Sequence, residues 1–277
     1  MTMINRRSVL LGAGSVAALG AVGVATPAAA APGPRVRPLR RAHAHNDYEH
    51  ERPLLDALDH GFTSVEADVW LEDGDLFIGH DGPDHGRTLR SLYLDPLRHR
   101  RRGHQHLPTR LLIDVKSHGD EAYDVLNRQL SAYPDLFTCW RGGRRHRRPV
   151  TAVLSGELAN LTVPATDQRW FGFDGRIGSL PAGATAEQLP LVSENWNKFF
   201  TWQGIGPMPS DQRATLHRLV DELHAERYQV RFWATPDLLP APRRAVWREL
   251  LAADVDVLNT DHLADLQHFL TTEDRQN

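Results

Sequence analysis

The chain has 277 residues, a formal charge of −3 and one cysteine. That slightly acidic balance argues against nucleic acid as a partner, and a lone Cys139 excludes an internal disulfide or a cysteine-built zinc site. Setting aside an N-terminal leader leaves about 250 residues, the usual size of a single (β/α)8 barrel.

Residues 1–31 read as a signal peptide. Arg6-Arg7 stands just before the apolar run 9–24, and Ala28 to Ala31 offers small residues for cleavage. The arginine pair points to twin-arginine export, and so to a secreted or extracytoplasmic location. The run is too short and glycine-rich for a stable membrane span, so none is expected after cleavage. Residues 32–38 form a proline- and arginine-rich linker, 39–272 a single domain, and 273–277 a tail.

Beyond the linker, short apolar runs alternate with amphipathic helical stretches. Strands are expected at 38–43, 63–70, 110–116, 150–155, 169–174, 189–194, 229–234 and 255–259. Helices are expected at 53–60, 89–97, 121–132, 210–225, 241–252 and 262–270. His60-Gly61 closes the first helix, and Ser210-Asp211 opens a later one. Eight strands alternating with helices imply an α/β fold with a parallel sheet, most simply a TIM (β/α)8 barrel. The rival, an open doubly wound sheet, lacks a glycine-rich phosphate loop after its first strand. The basic runs 98–102 and 141–148 read as solvated loops.

Barrel enzymes place their chemistry at the C-terminal ends of strands. Here polar groups crowd three consecutive ends: His43-Ala44-His45-Asn46, Glu66-Ala67-Asp68 and Asp114-Val115-Lys116. Glu66 and Asp68 are two apart in a strand and share a face. Facing the helices they would be buried unpaired at high cost, so they are expected at the barrel mouth. With Asp114 they make a three-carboxylate set suited to Mg²⁺ or Ca²⁺. The competing reading pairs them with Lys116 or an arginine. His43 and His80 end neighbouring elements and suit a general base and a general acid. A cation and Lys116 would neutralise charge on phosphoryl oxygens.

The order His43, Glu66-x-Asp68, His80-Asp81, Asp114-x-Lys116, Phe232-Trp233 and Asn259-Thr260-Asp261 resembles the glycerophosphodiester phosphodiesterase superfamily. The superfamily includes phosphatidylinositol-specific phospholipase C-like enzymes and sphingomyelinase D toxins. His43-Ala44-His45-Asn46-Asp47-Tyr48, with 64–70, Gly79-His80-Asp81 and Ser91-Leu92-Tyr93, is most similar to the branch named for altered inheritance of mitochondria protein six. The resemblance implies a metal-dependent phosphoric diester hydrolase acting on a small phosphodiester or phospholipid. It implies His43 and His80 as the acid/base pair, and Glu66, Asp68 and Asp114 on the metal. Lys116 would contact the phosphate, while Asn46 and Trp233 would line the substrate pocket. Attack by a substrate hydroxyl and attack by water both remain open.

This sequence departs from the glycerophosphodiesterases in several places. His43-Ala44-His45 replaces His-Arg-Gly, which makes His45 the alternative first histidine. Asp114 stands where those enzymes have Glu, and the Pro-Glu-Asn-Thr segment is absent. Only about thirty residues separate His80 from Asp114, too few for their inserted substrate subdomain. Two other functions compete. A two-metal amidohydrolase would need histidines near Asp174 and Glu194, and has none there. A non-catalytic barrel holding a phospholipid head group or surface polymer would keep the fold but is expected to lose a catalytic position.

Overall fold

A computed structural model describes residues 36–102, 108–142, 144–157 and 168–274. The signal-peptide reading, residues 32–35 of the linker and residues 275–277 of the tail lie outside these residues, while Glu273, read as tail, ends the last helix. Eight strands form the central sheet: β1 Leu39–Ala44, β2 Phe62–Glu72, β3 Thr109–Val115, β4 Val150–Gly156, β5 Gly172–Arg176, β6 Leu191–Asn195, β7 Val230–Trp233 and β8 Leu258–Thr260. Their order is β7-β6-β5-β4-β3-β2-β1-β8, and every pairing along it is parallel. The two ends meet through a single parallel bridge between Arg231 and Val257, where Val257 N donates to Val230 O at 3.1 Å. The fold is the (β/α)8 barrel expected from the sequence, with its thinnest seam between β7 and β8.

The helices are α1 Leu55–Asp59, α2 Asp95–Arg102, α3 Gly119–Ser131, α4 Trp196–Phe199, α5 Ser210–Ala225, α6 Pro240–Ala252 and α7 Leu263–Glu273. Each long helix buries one stripe: Leu216, Leu219, Val220 and Leu223 in α5, and Leu263, Leu266, Phe269 and Leu270 in α7. These stripes pack on the outer faces of the strands in one large apolar core. Inside the barrel, Leu112, Val153, Leu191 and Val257 form a separate plug. Strands clad on both faces read as nearly continuous apolar runs, which made them legible.

Three features differ from the sequence reading. The helix expected at 89–97 is a π-turn, Arg90–Leu94, running into α2; there the Tyr93 hydroxyl donates to Asp47 Oδ2 at 2.9 Å. The basic run 141–148 is not a simple loop: Cys139–Arg141 and Arg144–His146 pair as an antiparallel hairpin. Arg145 and Arg169 lie over the Trp140 ring, at 5.4 and 4.9 Å, so cation–π contact offsets their desolvation. The short helix α4 was also unforeseen; the Asn195 side chain caps it by accepting from Asn197 N at 2.9 Å.

β2 overruns the barrel and turns back as the strand Asp75–Ile78, which returns the chain to His80 at the mouth. On the other flank of β3, a Cβ at Gly156 would lie 2.2 Å from Val115 O, and Gly156 has φ +85°. Gly156→Ala therefore pushes β4 away from the end of β3, which carries Asp114 and Lys116. Combining left-handed strain with that clash, the substitution is expected to cost about 1–3 kcal/mol of unfolding free energy, measurable by urea titration.

Candidate active site

The two-residue period of the strands stacks the inward side chains in layers. Below the mouth lie His43 on β1, Ser64 and Glu66 on β2, Arg231 on β7 and Asn259 on β8, all buried. Arg231 Nη2 donates to Glu66 Oε2 at 2.7 Å, and its Nε donates to Asn259 Oδ1 at 2.7 Å. Both ring nitrogens of His43 are engaged, Nδ1 with Ser64 Oγ at 2.7 Å and Nε2 with Glu66 Oε2 at 2.9 Å. Burial, reinforced by the Arg231 charge, pushes the His43 pKa down to about 3, so the ring is neutral. Burial alone would raise the Glu66 pKa, but Arg231 and His43 outweigh it and hold the carboxyl well below its usual range.

One layer higher lies the mouth. His80 is more than half exposed, and its Nδ1 lies 2.9 Å from Asp68 Oδ2. His45 is partly exposed, and its Nδ1 lies 2.8 Å from Asp261 Oδ1. Neither Nε2 has a hydrogen-bond partner among the described residues. Burial opposes protonation of His45, but the Asp261 hydrogen bond and the nearby Glu66 and Asp261 charges prevail and raise its pKa. Asp68, itself buried, also takes Lys116 Nζ at 3.0 Å and the Tyr48 hydroxyl at 2.8 Å. Lys116 Nζ reaches Asp114 Oδ2 at 2.7 Å, across the β2–β3 register that aligns Asp68 with Asp114. Asn46 has left-handed backbone (φ 47°), and its Oδ1 lies 2.9 Å from the Tyr48 hydroxyl. Trp233 ends β7, half-buried, beside Asn195.

Two of the expected site residues lie deeper than the rest. His43, expected to act directly, is fully buried with both ring nitrogens hydrogen-bonded, whereas His45 opens on the mouth. Glu66, expected on the metal with Asp68 and Asp114, is paired here with Arg231 and His43. Among the described residues no three His, Cys, Asp or Glu side chains group as a metal site. Asp68 and Asp114 do fit a hard cation. They carry two negative charges against one lysine, and Asp68 Oδ1 is buried without a hydrogen-bond partner. One or two carboxylates plus water and phosphate oxygens is an ordinary Mg²⁺ environment. On the far wall Asp174 pairs with Arg176 at 2.8 Å and Glu194 with Lys198 at 2.6 Å.

Sequence reasoning missed Arg231 and the orienting role of Asp261. A charge two residues before Trp233 in an otherwise apolar strand was the available signal for Arg231. Asp261 stood in view in Asn259-Thr260-Asp261 without an assigned partner.

Residues 35–106 match the model of the AIM6-like phosphodiesterase domain, and 229–264 that of the glycerophosphoryl diester phosphodiesterase family. Altered inheritance of mitochondria protein 6 of Eremothecium gossypii is 30% identical, with 83% of this chain and 69% of that protein covered. Its homolog from Arthroderma benhamiae is 29% identical, covering 79% and 80%. A glycerophosphoryl diester phosphodiesterase from Parabacteroides distasonis superposes with TM-score 0.54 at 14% identity, covering 86% and 87%. A Ca²⁺-dependent phosphatidylinositol-specific phospholipase C from Streptomyces antibioticus gives 0.50 at 15%, covering 83% and 95%. The class is thus a phosphodiesterase-type (β/α)8 barrel. Within it, the chain belongs to the altered inheritance of mitochondria protein 6 family.

Replacing Arg231 with Leu strands Glu66 as a buried, uncompensated anion. The Glu66 pKa then swings from below its ordinary 4.5 to above it. Arg231→Leu is expected to lose about 3–5 kcal/mol at about pH 8. It should recover part of that loss toward about pH 5, as Glu66 takes up a proton. Wild type behaves oppositely: its Glu66 contribution is present above the unfolded pKa and is lost on acidification. Urea titrations from about pH 8 to 5 check the variant's sign, and their extension below the ordinary 4.5 checks the wild type's.

Proposed function

We propose that the protein cleaves phosphodiesters, with His45 and His80 as the acid/base pair. The observation that carries this reading is the repeated arrangement at the mouth. Two histidines, one exposed and one partly exposed, each have Nδ1 held by a carboxylate, at 2.9 and 2.8 Å, which presents Nε2 outward. His45, with its raised pKa, is the acid that protonates the leaving alkoxide as the P–O bond breaks. His80 takes the proton from the attacking hydroxyl, whether of water or of the substrate. Lys116 balances charge on the non-bridging oxygens. Asp68 and Asp114 would hold Mg²⁺ or Ca²⁺, which supplies Lewis-acid polarisation of the phosphoryl group. His43 keeps the lower layer neutral and packed. Asn46, through Tyr48, positions Asp68, and Trp233 walls the pocket. The substrate class is a glycerophosphodiester or phospholipid-type diester, and the arginine pair with its apolar run supports export.

The test is turnover of bis(p-nitrophenyl) phosphate and natural phosphodiesters, with Mg²⁺, Ca²⁺ or chelator, and with product analysis for a cyclic phosphate. His45→Ala and His80→Ala are each expected to lose about 10²–10⁴-fold in kcat, while His43→Gln keeps most activity and loses stability. No turnover with any diester, or an active His45→Ala beside a folded, inactive His43→Gln, would sink the proposal.

The pH profile offers a second check. With His45 as acid, kcat/KM falls on the alkaline side as it deprotonates, and that limb lies above the ordinary 6.5. In Asp261→Asn the hydrogen bond and charge that raise it are weakened, so the alkaline limb moves to lower pH while the fold persists.

A further inference from the structure

We infer that the arginine hairpin before β4 is a binding site for a linear polyanion of repeated phosphates, separate from the barrel mouth. Five of the eight residues from Arg141 to Arg148 are arginine, and none is acidic. Arg141, Arg144, Arg147 and Arg148 are exposed, and none of the four has a carboxylate partner among the described residues. The other basic run differs, since Arg98 and Arg100 pair with Asp95 and Asp59.

The hairpin sits at the start of β4, the end of the barrel opposite His45 and His80. Thr138 N donates to Val150 O at 2.7 Å and Thr109 N to Pro149 O at 2.9 Å, which ties both its roots to the first residues of β3 and β4. Strand alternation sorts its side chains. Trp140 and Arg145 lie opposite each other on one face, where Arg169 from the third strand of this small sheet stacks on the same ring. Arg141, Arg144 and His146 take the other face. Arg141 and Arg144 are direct cross-strand partners, and like charges so placed destabilise a strand pair. Burial and the Arg147 charge hold Arg145 below its ordinary range, and Glu187 offsets them only in part. The repulsion is thus built into a braced element, and an anion lying along the outer face relieves it.

The chemistry of the patch selects the occupant. Each guanidinium can grip one phosphate bidentately, so a row of four fits repeated phosphates better than a single one. Among the described residues the large exposed hydrophobics are Val36, Ile205, Leu238 and Leu239, none of them on the hairpin. The patch therefore has no apolar centre for a protein partner and nothing to insert among acyl chains. Its one aromatic ring, Trp140, is buried under arginines, which leaves no platform for a nucleic-acid base. Adsorption of this end on a bilayer would also turn the mouth away from the lipid, whereas a polymer can run from hairpin to mouth. That such a polymer is itself cleaved rests on the phosphodiesterase reading; its binding does not.

The test is titration of the full chain with inorganic polyphosphate by calorimetry, at several salt concentrations. It compares wild type with the quadruple variant Arg141→Gln, Arg144→Gln, Arg147→Gln, Arg148→Gln, whose fold is checked by circular dichroism. Wild type is expected to bind with a log–log salt slope of about −3, and the variant to bind about 100-fold more weakly at low salt with a slope near zero. Turnover of bis(p-nitrophenyl) phosphate should be the same in both. Equal binding by the two proteins, or no binding by wild type, overturns the inference. So does tighter wild-type binding to a single-stranded oligonucleotide of matched charge, or to phosphatidylglycerol vesicles, which would assign the hairpin to nucleic acid or to a membrane. Binding is read without turnover. An inactive protein that binds polyphosphate fails only the catalytic reading, and an active one that does not bind it fails only this inference.

Discussion

A buried carboxylate in the middle of a barrel is the constraint around which this structure is arranged. Glu66 lies below the mouth, out of water, and its charge is met by Arg231 reaching over from β7. Arg231 also grips Asn259 on β8, and Glu66 holds His43 on β1. The network therefore ties together β7, β8, β1 and β2, the half of the barrel whose backbone ladder narrows to one bridge. Where main-chain hydrogen bonds are fewest, side-chain charge takes over closure. Such an arrangement is costly to break from one side and specific in register, because the guanidinium donates in fixed directions.

The chemistry sits one step above. Advancing two residues along a strand keeps the side chain on the same face and moves it about 6.4–6.8 Å toward solvent. That step separates His43 from His45 and Glu66 from Asp68. It turns a neutral, enclosed imidazole into one with a free nitrogen, and a carboxylate paired to arginine into one shared by lysine, histidine and tyrosine. The same residue types thus stand sealed below and open above, and depth distinguishes them. The mouth is also divided laterally. The two histidines, Lys116 and the carboxylates they touch come from β1, β2, β3, β8 and the turns that follow them, whereas β6 and β7 lead into proline-rich loops with apolar tips.

Much of the fold was legible because strands clad on both faces and helices with one apolar stripe leave opposite periodicities in the chain. The eight strands read from the sequence correspond to the eight observed. The hidden features were those made by contacts between distant residues. The Trp140 stack turned the basic run at 141–148 into a hairpin, and Tyr93 reaching Asp47 accompanied a π-turn. At the site, the residue types were plain: histidines, carboxylates and a lysine at strand ends. Their partners were not. Arg231 lies 165 residues from Glu66, and Asp261 lies 216 from His45.

The sequence by itself therefore determined the barrel, the strand ends that carry the chemistry and the family resemblance, since each follows from local periodicity and residue type. Tertiary structure alone decided which histidine opens on the mouth and which is sealed. It also decided which carboxylates share a lysine and which is paired with arginine. Depth within a barrel and the sign of the nearest charge depend on how strands close around one another, and adjacent positions such as His43 and His45 carry no trace of that closure.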